Sequence, residues 1–241
     1  MIEFKNVSFG YEKGNTILKD MSFHIEKGES VGLIGANGAG KSTMLKVLLG
    51  LLPHEGDVLV NGTALCKESL PEIRKTLGFV LQNSENQMFM PTVYDDMMFG
   101  LLNYGMSKAD AEHRVDGVLE QLGLSSLKNK YNHKISGGEK RMAAIATVLA
   151  MEPEVIIMDE PSVSLDPYNR RAVINVINSL SQTKIIASHD LDMVLETCRR
   201  VILISDGKIV ASADAQKILS NKELLEGNRM ELPFSLAAQY K

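Results

Sequence analysis

Only two cysteines, Cys66 and Cys198, occur in 241 residues, too few for a disulfide framework. They fit a reducing compartment, with both thiols expected as small buried apolar groups. A basic excess is also lacking. The formal net charge is −4, which leaves no positive field for non-specific nucleic-acid binding. No apolar run approaches the roughly 18 residues of a membrane span, and residues 1–5 carry no secretory pattern. The sequence thus predicts a soluble chain that does any membrane work through a partner. Repeats and low-complexity linkers are missing too. The 44% hydrophobic content and the length allow one large domain with a sizeable core.

What is present is concentrated in Gly35-Ala36-Asn37-Gly38-Ala39-Gly40-Lys41-Ser42-Thr43. The stretch fits G-x-x-x-x-G-K-[ST] at each fixed position, after an apolar strand-like run and before a helix-like one. Gly35, Gly38 and Gly40 permit backbone conformations that a Cβ resists. Loop N–H groups and the helix start can then hold polyphosphate oxygens. Lys41 is placed to reach the β- and γ-phosphates of ATP, and the Ser42 hydroxyl to ligate Mg²⁺.

Strand patterns occupy residues 2–9, 17–25, 57–60 and 77–81. Helical patterns follow over 93–104, 108–122 and from Gly137-Gly138 to about Ala150. Strands at 155–158 and 184–187 then alternate with helices at 168–180 and 191–198. Asp206-Gly207 joins two strands as a hairpin. This order predicts an α/β fold: a P-loop core with a mainly parallel sheet, an N-terminal antiparallel β subdomain and an α-helical insertion. The expected division is a core of about 1–90 and 150–213, a helical part of about 91–150, and a tail over 214–241 that begins as a short helix.

Residues 155–160 put Asp159 and Glu160 at the end of an apolar strand, where ligands of open α/β sheets gather. Asp159 is the candidate Mg²⁺ ligand and Glu160 the candidate general base for water. Ser136-Gly137-Gly138 opens a helix and makes a second anion-binding start. One triphosphate has no need of two such starts from one molecule. The economical solution is a dimer in which two chains share each nucleotide.

Together these motifs resemble the nucleotide-binding subunit of ATP-binding-cassette (ABC) transporters over nearly the whole chain. The resemblance implies that Ser136, Gly137 and Gly138 form the signature motif, facing the γ-phosphate held by a second subunit, identical or a close paralogue. It implies that Tyr11 stacks on adenine. It makes Gln82 the residue that senses Mg²⁺ and the attacking water, Asp166 the D-loop aspartate at the dimer seam, and His189 the switch histidine beside the γ-phosphate. Glu139 stands where glutamine is commoner, and Val163-Ser164 where smaller residues are usual. The wording from Gln82 through Phe89, Thr92-Val93, Asp95-Asp96 and Phe99-Gly100 resembles the energy-coupling-factor branch, with its cobalt- and nickel-type importers. That branch implies an ATPase at the cytoplasmic membrane face that powers uptake of a metal ion or vitamin. Its partners would be a transmembrane coupling subunit and a substrate-capture subunit. Met88, Met90, Met97, Met98 and Met106 are read as lining a groove for a coupling helix, with core filling as the alternative. Export, or a soluble ABC switch acting on nucleic acid or ribosomes, are the rival readings. The single cassette and acidic balance oppose the switch.

Overall fold

The computed structural model describes residues 1–12 and 14–237. Among the described residues there are ten strands: β1 (Ile2–Glu12), β2 (Asn15–Ile25), β3 (Ser30–Ile34), β4 (Glu55–Val60), β5 (Thr63–Ala64), β6 (Leu77–Val80), β7 (Val155–Asp159), β8 (Thr183–Ala187), β9 (Arg200–Ser205) and β10 (Lys208–Asp214). They form two sheets. An antiparallel sheet runs β2-β1-β4-β5, and a six-stranded sheet runs β10-β9-β3-β8-β7-β6. The second is parallel except for its edge strand β10, which returns beside β9 through Asp206 and Gly207. Both turn residues have positive φ, 47° and 77°, as a tight hairpin turn requires. The same device, Asn61-Gly62, joins β4 to β5.

β3, β7 and β8 are buried at every position, as expected of parallel strands covered on both faces. One apolar core lies between the two sheets and the helix Lys41–Leu48, and holds Phe4, Leu18, Met21, Met44, Leu45 and Leu48. Each such side chain contributes roughly 1.5–3 kcal/mol on burial. A second core packs the helices Pro167–Ser179 and Leu191–Thr197 on the other face of the parallel sheet. A third cluster lies among the helices Val93–Asn103, Lys108–Gln121 and Gly137–Ala150.

The long helices fall within a residue or two of their predicted ends because their caps are local. Thr92 with Asp95, and Ser136 with Glu139, form reciprocal capping boxes. Two short helices, Leu70–Thr76 and Ser84–Gln87, escape a periodicity argument because neither exceeds two turns. The tail begins as a short helix, Ala215–Leu219, as expected, and two more short helices, Lys222–Gly227 and Phe234–Ala237, follow among its described residues.

Two expectations are corrected. Met88, Met97 and Met98 do not line a surface groove: they are buried in the third cluster, and Met90 and Met106 are half-buried. Facing solvent instead are Phe89, 63% exposed, and Phe99, whose rings meet edge to face at 5.1 Å. Cys198 is buried as expected, but Cys66 is exposed in a polar turn, its N–H bonded to Ser69 Oγ.

Lys184 is a buried cation in β8. Its Nζ donates to the carbonyls of Ile177 (3.1 Å) and Leu180 (2.7 Å) at the end of the helix Pro167–Ser179. That is where the helix dipole favours a cation, although burial holds the ammonium below its usual pKa. Lys184→Met takes this donor from both carbonyls and is expected to cost about 1–3 kcal/mol. An unchanged urea midpoint would refute this role.

Candidate nucleotide site

The sheet order brings the C-terminal ends of β3, β8, β7 and β6 to one edge. β3 ends at Ile34 and the chain turns at Gly35, where a Cβ would lie 2.2 Å from the Ile204 carbonyl oxygen. Gly38 and Gly40 have φ of 81° and 110°. Gly40 is the N-cap of Lys41–Leu48, and no side chain caps that helix. Its N-terminus is therefore presented by backbone alone, which suits anion binding.

Lys41 is buried, and its Nζ donates to the Gly35 carbonyl at 2.6 Å. Burial lowers its pKa, while the Glu160 and Asp159 carboxylates oppose that shift. The Ser42 hydroxyl lies beside the Asp159 carboxylate, whose pKa burial raises and this hydroxyl pulls back. Asn37, Ala39 and Thr43 complete the loop, Asn37 exposed at its crest and Ala39 buried. Residues Ile17 and Leu18 of β2 lie over Gly40. On the same hairpin Tyr11 is 58% exposed, its ring edge-on to Phe9 at 4.8 Å.

β7 delivers Asp159, and Glu160 follows in a left-handed conformation (φ 49°). Its N–H donates to the Ala187 carbonyl at 2.8 Å, so the turn is locked to β8. Glu160 Oε2 accepts from Ser188 Oγ (3.1 Å) and the His189 N–H (3.2 Å), and lies 2.8 Å from His189 Nδ1. The imidazole is 60% exposed. The edge thus collects Lys41, Ser42, Asp159, Glu160 and His189.

Gln82 is exposed two residues beyond β6, which lies beside β7 with Val80 opposite Met158. Buried Arg141 donates to the carbonyls of Leu81 and Gln82. Gln87 bridges the Leu81 N–H and the Ala144 carbonyl, and Lys140 pairs with Glu85 at 2.6 Å. The segment after β6 is therefore bolted to the helix Gly137–Ala150.

Ser136 caps that helix by accepting from the Glu139 N–H, and Glu139 returns the bond to the Ser136 N–H. Glu139 thus has a definite structural role. A Cβ on Gly138 would meet Asn169 at 2.2 Å, and Asn169 donates to Asp166. Asp166 caps Pro167–Ser179, accepting from the N–H groups of Tyr168 and Asn169. Ser136, Gly137, Gly138 and Asp166 form a second group. Among the described residues no hydrogen bond or ion pair joins that group to residues 35–43.

A cavity of about 820 Å³ opens beside the loop start, bounded by residues 35–37, 162–164, 189–192 and 229–234 together with Arg170. Asp192 pins its outer wall by accepting from the N–H groups of Phe234 and Ser235. Arg170 and Asp190 form a bidentate pair in the inner wall. Burial raises the Asp190 pKa, but Arg170, the Met193 N–H and the Ser162 hydroxyl outweigh it, leaving the carboxyl below its usual range. Sequence reasoning missed Arg141, Ser162, Arg170 and Asp190 as site-shaping residues. Arg141 follows Glu139-Lys140 in the charged first turns of its helix, so the sequence carried no signal that set it apart.

No group of three or more metal-binding side chains occurs among the described residues. The donor set expected of a metal there is one hydroxyl, Ser42, beside one carboxylate, Asp159. That suits Mg²⁺, which takes few protein ligands and shares phosphate oxygens.

Comparison with known proteins agrees with this geometry. The family model described as ABC transporter matches residues 18–163. The energy-coupling factor transporter ATP-binding protein EcfA of Methanocaldococcus jannaschii is 40% identical, over 97% of this chain and 86% of its own. Among solved structures, cbiO1 of Clostridium perfringens, described as part of the ABC transporter complex cbiONQ, has a TM-score of 0.86 at 30% identity, covering 100% of this chain and 98% of that one. A dimeric ATP-binding cassette in a post-hydrolysis state with ADP and Pi has a TM-score of 0.80 at 28% identity, covering 89% and 99%. The chain belongs to the ABC transporter ATP-binding family and is an ATPase of the transport-coupled type.

Proposed function

We propose that two copies of this chain, or one copy and a close paralogue, close over two ATP molecules and drive uptake of a small substrate. The observation that carries this is the separation of two anion-binding helix starts on one chain. Among the described residues no hydrogen bond or ion pair joins the uncapped start at Lys41 to the Ser136 start, and in this reading a second molecule supplies the second start to each nucleotide. The dimeric cassette described with ADP and Pi supports that arrangement.

In this reading the loop 35–43 holds the phosphates, Lys41 turns from the Gly35 carbonyl to the β- and γ-phosphates, and Tyr11 stacks on the base. Ser42 and Asp159, with Gln82, would hold Mg²⁺, which neutralises charge on the phosphates. The hydrogen bonds to Glu160 from Ser188 and His189 go to Oε2. Oε1 is left to take the proton from water, while His189 and Gln82 orient the water and the γ-phosphate. Asp166 and its loop meet the second copy. Residues 91–150 act as the helical part that transmits closure to the membrane partner, and residues 214–241 as a tail on the core.

The importer branch rests on the likeness to EcfA and to cbiO1. The substrate class in this reading is a metal ion or vitamin, chosen by membrane subunits. No helix among the described residues is long and apolar enough to cross a membrane; in this reading, which rests on the likeness to EcfA and cbiO1, the chain docks peripherally on the cytoplasmic side. The exposed pair Phe89 and Phe99 is the surface for the transmembrane subunit. Purification from its own membrane should bring that subunit with the wild-type chain. Phe89→Asp should lose it while ATP binding in solution stays unchanged. Co-purification at wild-type yield would discard the docking surface.

A further inference from the structure

One carboxylate holds both ends of the loop between β7 and the helix Pro167–Ser179. At the near end Ser162 Oγ donates to Asp190 Oδ2 at 3.0 Å. At the far end Arg170 donates from Nε to Oδ2 at 2.7 Å and from Nη2 to Oδ1 at 2.8 Å. Arg170 lies in the first helical turn, and its N–H donates to the Asp166 carbonyl at 2.9 Å. Between the two ends Ser164 has φ of 61°. A non-glycine residue keeps that conformation when its surroundings over-determine it. Asp190 also directly follows His189 and is fixed by the Met193 N–H at 3.0 Å. The carboxylate that clamps the loop therefore also sets the peptide that carries the imidazole.

We propose that Arg170 is a positioning residue that, through Asp190, ties the orientation of His189 to the conformation of the loop 162–166. Pressure on that loop from a second copy then resets the imidazole at the nucleotide. The geometry suits the task. A guanidinium fork fixes both oxygens of a carboxylate, which a single hydroxyl cannot do. The side chains are only 25% and 22% exposed, unlike the open surface pairs that contribute little. Arg170 and Asp190 also wall the cavity that lies between the phosphate loop and the loop 162–164. The inference rests on the assignment of His189 to the γ-phosphate proposed above.

A kinetic cycle on the full chain with MgATP tests it, using R170M, R170K, H189A and R170M/H189A. Single-turnover hydrolysis is followed for hours so that slow variants are still measured. A small misplacement of a catalytic group costs up to about 100-fold. R170M should therefore slow hydrolysis by about 10- to 100-fold, with KM for ATP within about 2-fold. R170K keeps one charged donor and should recover part of the loss. The double variant should be no slower than H189A. Losses that multiply in the double variant, or a wild-type rate in R170M, overturn the relay while H189A remains slow. A wild-type rate in H189A instead overturns the assignment of His189, and the relay with it. Should R170M fail to fold, S162A opens the other end of the clamp by deleting one hydroxyl. It should slow hydrolysis in the wild-type background and not in H189A, and a wild-type rate there overturns the proposal.

Discussion

Glu160→Gln should bind MgATP as the wild type does and hydrolyse it about 10²- to 10⁴-fold more slowly, the usual contribution of a positioned base. The substitution is nearly isosteric. The amide oxygen can take the place of Oε2 and keep the bonds from Ser188 Oγ and the His189 N–H, at 3.1 and 3.2 Å in the wild type. The turn itself is held by backbone, through the Glu160 N–H and the Ala187 carbonyl, so its left-handed conformation survives. What changes is the other end of the side chain: an amide nitrogen stands where Oε1 would accept the proton from water. Closure over ATP does not need that proton transfer, whereas reopening after hydrolysis does. The variant should therefore accumulate as a dimer when ATP is added, visible as a doubling of mass in size-exclusion light scattering. Asp159, one residue earlier and beside the Ser42 hydroxyl, should behave differently, because Asp159→Asn is expected to weaken metal and nucleotide binding rather than turnover alone. Wild-type turnover in Glu160→Gln would end the case for Glu160 as the base.

Much of this edge was legible because its parts are contiguous in the sequence. The loop 35–43 is a single run, and Asp159-Glu160 and His189 each directly follow an apolar strand. Once a parallel sheet is expected, strand ends converge and so do these residues. The capping of the helices at Thr92, Ser136 and Asp166 was equally local. What failed depended on tertiary facing. Met97, Met98 and Leu101 point into the helical core, while Phe99 and Leu102 on the same helix point out. A count of methionines cannot tell those sides apart. The Arg170–Asp190 pair spans 20 residues and two elements, so no pattern within one element reveals it. Arg141 reaches back 60 residues to Leu81. Cys66 was misjudged because its type predicts burial, whereas its position in a polar turn decides exposure.

Lys41→Ala should remove most nucleotide affinity without unfolding the protein. The ammonium sits against the Gly35 and Ala36 carbonyls, at 2.6 and 3.4 Å. Burial opposes its charge, and Glu160 and Asp159 only partly compensate. Truncation removes a desolvated cation from the fold, so the ligand-free melting temperature should hold or rise slightly. Binding is another matter. A hydrogen bond to a charged group contributes about 1.5–3 kcal/mol, which corresponds to roughly 10- to 150-fold in Kd. The two effects separate cleanly in a thermal shift. At an ATP concentration of 100 times the wild-type Kd, the ligand stabilises the fold by about 2.7 kcal/mol. If Kd rises about 100-fold, the same concentration stabilises the variant by only about 0.4 kcal/mol. Lys41→Ala should therefore melt like the wild type alone and fail to follow it when ATP is added. A variant that melts lower without ATP yet keeps the full shift would mean that Lys41 supports the loop and not the phosphates.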